Sequence, residues 1–120
     1  MALLESRRGV WDNIRMADSS RIESLKDVVQ KDPANALARY ALANEFLKAG
    51  QYEGAIEVLR IYLEMADDEG AGYRMLASAS LALGRDEEAR DAYTKGIQAA
   101  NRHHHPGMAA EFESALEDLS

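Results

Sequence analysis

Cysteine is absent from this 120-residue chain. Disulfides, a thiolate nucleophile and Cys-ligated zinc are therefore excluded, and the redox compartment is left open. Only two prolines occur, Pro33 and Pro106, and each falls at the start of a helical pattern instead of inside one. β-Branched residues are sparse and never alternate with polar ones for long, which argues against strands. No apolar run approaches the roughly 20 residues of a membrane span. The first residues, "MALLESRRGVWDNIR", lack a secretory pattern, because the apolar stretch is short and the arginines follow it. A cytoplasmic protein without a membrane partner is the resulting expectation. Positive charge is also scarce: 14 Lys and Arg stand against 21 Asp and Glu, a net charge of −7. The deficit lies beyond residue 31, where eight bases face sixteen acids, so phosphate backbones are repelled and no nucleic-acid partner is expected.

What the chain does contain is helical periodicity. Apolar residues recur at three-and-four spacing over six stretches, 20–31, 35–49, 52–65, 70–83, 86–100 and 106–119. The predicted fold class is all-α. Gly50 and Gly84 each follow about four turns of helical pattern, where a residue with positive φ ends a helix without a Cβ clash. Such short connections fold the next helix back on the last.

The punctuation repeats. "LKAGQYEGAIEVLR" from Leu47 and "LALGRDEEARDAYT" from Leu81 lie thirty-four residues apart, aligning Gly50 with Gly84 and Ala55 with Ala89. A helix pair repeated at this period cannot bury its apolar face alone and must stack on its neighbours. The stretch 36–69 supplies Leu42, Ala43, Phe46, Gly50, Ala55 and Leu59. The stretch 70–103 supplies Tyr73, Leu76, Ala77, Gly84, Ala89 and Tyr93. This set resembles the tetratricopeptide repeat family. Arg39, Ser80, Tyr62 and Gly96 depart from the family's large, aromatic or small residues at their places, and neither repeat ends in proline. The resemblance implies a short right-handed solenoid. Its parts are a leader (1–19), a half-repeat (20–35), two repeats (36–69 and 70–103) and a capping helix (104–120). Ala55 and Ala89 are expected to allow close helix approach, whereas Ala99 is placed on a more exposed flank.

In this family the first helix of each pair lines a concave groove. The resemblance therefore implies a partner-binding groove lined by Leu37, Tyr40, Asn44, Leu47 and Lys48, and by Arg74, Ser78 and Leu81. Asn44 matches the amide with which chaperone-binding members clamp a peptide carboxylate, and Lys48 and Arg74 would supply charge for an acidic or C-terminal peptide. The implied function is a non-catalytic adaptor or assembly subunit that binds a protein or peptide and needs no cofactor. One rival is a homo-oligomer formed through the open N-terminal helix face. Another is a metal-dependent protein using His103, His104 and His105.

The remaining motifs carry less chemistry. Three adjacent imidazoles splay apart and rarely converge on one tetrahedral ion. "RHHHP" is therefore expected to be a turn whose histidines meet the end of the fifth helix, where cations are favoured. The acids of "RDEEARD" suit the first turn of a helix, and Asp67 or Asp68 of "MADDEG" is a candidate cap for the fourth. No nucleophile elbow, phosphate loop or ordered catalytic triad is present, so no catalytic or metal-binding residue is assigned. Leu3, Leu4, Val10, Trp11 and Ile14 form a weak apolar stripe in the leader, which is expected to be disordered or to dock on its own groove or on a neighbour.

Overall fold

A computed structural model describes residues 20–120. Six helices and no strand occur among them: α1 over 20–31, α2 Ala36–Lys48, α3 Tyr52–Met65, α4 Ala71–Ala82, α5 Asp86–Arg102 and α6 Pro106–Asp118. The expectations for residues 1–19 lie outside the described residues. From α2 onward each helix packs on the next in the chain, and α2 also touches α4. Ile22 of α1 joins Leu42, Phe46, Ile56 and Leu59 in one buried cluster. The all-α reading therefore holds, and the helices stack in consecutive neighbouring pairs.

The turns form where the glycines stand. Gly50 has φ 72° and Gly84 φ 71°. Around them Gln51 N donates to Phe46 O at 2.9 Å and Arg85 N to Ser80 O at 2.8 Å, so both turns close with the same bond. The α5–α6 turn uses this geometry too, with His105 N donating to Ala100 O at 2.7 Å. There the left-handed residue is His104, at φ 61°.

Close approach depends on small side chains. Ala43, Ala55, Ala77 and Ala89 are fully buried. Ala99 is buried as well, only 1% exposed, contrary to its expected place on an open flank. The reason is the position of α5 between α4 and α6: it is covered from two sides, so Ala89, Ala92, Gly96, Ala99 and Ala100 are all enclosed. A Cβ on Gly96 would lie 2.8 Å from the Phe112 ring, so this glycine makes room for the largest fully buried side chain. Burying such a ring contributes roughly 1.5–3 kcal/mol.

The other departures from the repeat pattern also have local roles. Tyr62 donates its phenol to Asp68 Oδ2 at 2.7 Å, and Gly70 N and Gly72 N each donate to Asp68 Oδ1 at 2.8 Å. Asp68 thus caps α4, as one of the two expected candidates, and also ties α4 to the end of α3. Ser80, fully buried, satisfies its hydroxyl on Leu76 O at 2.8 Å. Arg39 turns to the α1–α2 connection, where Nε and Nη2 donate to Pro33 O at 3.2 and 3.1 Å.

Candidate functional site

α2 starts at Ala36 because Asn35 Oδ1 accepts Ala38 N at 3.0 Å. That cap sets the phase of the first turn, and with it the positions of Leu37 and Tyr40. Across from them stand the end of α3, the α3–α4 connection and the start of α4. Between these elements lies a hollow of about 420 Å3, lined by Leu37, Tyr40, Tyr62 and Ala71 and edged by Asp67 and Glu69. Leu37 is 78% exposed, far beyond any other large apolar residue described. Tyr40 stacks obliquely on Tyr62 with ring centroids 5.4 Å apart, which holds its ring at the wall of the hollow.

Of the groove residues expected from sequence, Leu37 and Tyr40 are brought together here. The rest lie elsewhere. Asn44 is exposed further along α2, and Leu47 leans on the core. Lys48 Nζ lies 3.6 Å from Glu45 Oε1. Ser78 and Leu81 are exposed along α4. Arg74 is held by α6: its Nε and Nη2 donate to Glu111 Oε2 and Oε1 at 2.7 and 2.8 Å, and its guanidinium lies 5.5 Å from the centre of the Phe112 ring. The Glu111 hydrogen bonds raise the Arg74 pKa further and outweigh its partial burial.

Tyr62, Asp67 and Glu69 were not among the expected lining residues. The signal for the acids was present in "MADDEG", but it served equally for a helix cap. Asp67 Oδ1 accepts from Arg102 Nη2 at 3.1 Å, and its Oδ2 lies 3.0 Å from His103 Nε2. His103 and then Arg102, both beside its oxygens, hold the Asp67 carboxyl below its ordinary value. Glu69 Oε2 lies 2.9 Å from His105 Nε2, and its Oε1 lies 3.8 Å from His103 Nδ1. The outer histidines of "RHHHP" therefore reach across to the α3–α4 connection. Among the described residues, no group of three or more His, Cys, Asp or Glu side chains is arranged to hold a metal ion. Tyr62 is kept protonated well above the usual phenol range, first by burial and then by its bond to Asp68.

A second hollow, of about 610 Å3, lies between α3, α4 and α5 over Leu63, Tyr73 and Leu76. Its rim carries ion pairs, Arg60 to Glu88 across α3 and α5 at 2.9 Å and Lys95 to Asp91 along α5 at 3.0 Å. The smaller hollow combines an open apolar side chain with a fixed aromatic wall and is the better binding candidate. No described helix is long and apolar enough to cross a membrane.

The family model described as tetratricopeptide repeat matches residues 22–78, a span that includes every residue of the smaller hollow. A TPR repeat-containing protein of Pseudomonas aeruginosa, PA0015, is 35% identical over 82 residues, covering 68% of this chain and 78% of that protein. The solution structure of protein BPP2914 from Bordetella parapertussis is similar with a TM-score of 0.68 over 82% of this chain and 85% of that one. At 22% identity this is a likeness of fold.

Proposed function

The chain belongs to the tetratricopeptide repeat family, and on that footing we propose that it is a non-catalytic adaptor or assembly subunit that captures a peptide or helix of a partner protein in the groove between α2 and α4. The fold supports a protein-interaction module in general. The observation that favours this groove is the exposure of Leu37 beside Tyr40 at a preformed hollow. An exposed aliphatic side chain next to a rigid aromatic is the composition of an interface anchor. Asn44, Lys48, Arg74, Ser78 and Leu81 extend the same proposed surface beyond the hollow. The setting is proposed to be the cytoplasm, and the chemistry needs no cofactor.

A photo-crosslinking amino acid placed at position 37 tests this reading, with position 113 on α6 as the comparison. Position 37 should capture a discrete protein from native lysate that position 113 does not, and Tyr40→Ala should reduce the capture. Equal capture at both positions would remove the groove as the working surface.

A further inference from the structure

The charge around the hollow defines what it can take. Three carboxylates line it and no Lys or Arg does. Asp68 is spent internally on Tyr62, Gly70 and Gly72. Asp67 and Glu69 are exposed and stand at the mouth, with Arg102 as the nearby permanent cation and His103 and His105 as the other partners. The cations expected in the groove do not line the hollow. Arg74 is bonded to Glu111, Lys48 lies at the far end of α2 near Glu45, and Arg39 faces Pro33. The surface beyond residue 31, with sixteen acids and eight bases, adds attraction for a positive partner at longer range.

We infer that the partner segment is basic and amphipathic: a large apolar side chain enters between Leu37 and Tyr40, and a flanking Lys or Arg pairs with Asp67 or Glu69. This rests on the groove reading above and gives its partner a sign. It is opposite to the acidic or C-terminal peptide that Lys48 and Arg74 suggest in the sequence alone. The hollow of about 420 Å3 suits one or two large side chains of the bound segment, so the cation must come from residues next to the anchor.

Three labelled synthetic peptides provide the test. One carries a central Trp-Leu pair flanked by lysines, the second has glutamates in place of the lysines, and the third keeps the lysines but has serines for the apolar pair. Fluorescence anisotropy at about 0.15 M salt suppresses loose surface attraction, since the screening length is then about 8 Å. The lysine peptide with its apolar pair should bind tightest. The double variant Asp67→Asn, Glu69→Gln should weaken it about ten-fold. Glu113→Gln with Glu117→Gln changes the net charge equally on α6 and should leave binding unaltered. Circular dichroism of each variant verifies that the helices persist.

Equal weakening by both charge variants would mean diffuse attraction and would overturn the inference. Tighter binding of the glutamate peptide, lost in Leu37→Ser, would overturn the sign while leaving the groove reading intact. Binding of all three peptides that ignores Leu37→Ser would overturn the groove reading itself. Self-association in sedimentation that Leu37→Ser abolishes would assign the hollow to a second copy of the chain and overturn the inference.

Discussion

Arg74 of α4 and Glu111 of α6 are joined by two parallel hydrogen bonds of 2.7 and 2.8 Å. The fork geometry favours arginine and links the surfaces of α4 and α6. Both side chains are well exposed, so solvent screening keeps the contribution to stability at no more than about 1 kcal/mol. Arg74→Glu sets two carboxylates against each other and should lower the thermal midpoint more than Arg74→Ala does. The exchange Arg74→Glu with Glu111→Arg should recover most of the loss. If the exchange recovers nothing, the pair is not what holds these side chains together.

Ala55→Leu, Ala89→Leu and Ala99→Leu should each destabilise by roughly 1–3 kcal/mol, because each inserts bulk between packed helices. All three alanines are enclosed, so their denaturation midpoints should fall together. An Ala99→Leu variant as stable as the parent would mean that α5 is open on that side.

His104 holds a left-handed conformation that glycine adopts without a Cβ clash. Glycine is also more flexible in the unfolded chain, which offsets part of the gain. His104→Gly should therefore stabilise by about 0.5–1 kcal/mol. Urea denaturation measures it. A loss of stability would show that the imidazole makes a contact worth more than the backbone strain.

The Asp67 carboxyl titrates below its unfolded value because His103 and Arg102 favour the ionised form. Its contribution to stability is therefore present above the ordinary carboxylate range and is lost as the pH falls through the lowered value. Asp67→Asn should be less stable than the parent at neutral pH, and the two should converge in strong acid. Thermal midpoints recorded from pH 7 down to about 2 trace this, since the ordinary Asp value is near 3.9. A gap that does not close with acid would place the effect outside this titration.

Helix count, bounds and turn positions were legible in the chain itself. They rest on local rules: apolar spacing sets each helix, Gly50 and Gly84 stop two of them, and Asn35 starts one. The thirty-four-residue interval added stacking, because one helix pair cannot bury its own face. His104 escaped this reading, since a turn bond from His105 to Ala100 is possible only if that residue turns left-handed, and histidine is not the residue that announces it.

Which charges remain available to a partner was decided only by the tertiary structure. In sequence Arg74 is thirty-seven residues from Glu111, and Asp67 thirty-five from Arg102; stacking brings both pairs into contact. Composition sets the number of charges, but whether one is spent on a neighbour depends on which helices are adjacent and in what phase. The same holds for Ala99, whose burial follows from a helix on either side of α5. Local chemistry wrote the helices and their order, whereas the chemistry of the hollow, with Leu37 open, Arg74 tied to Glu111 and Asp67 at the rim, arises from contacts between residues far apart in the chain.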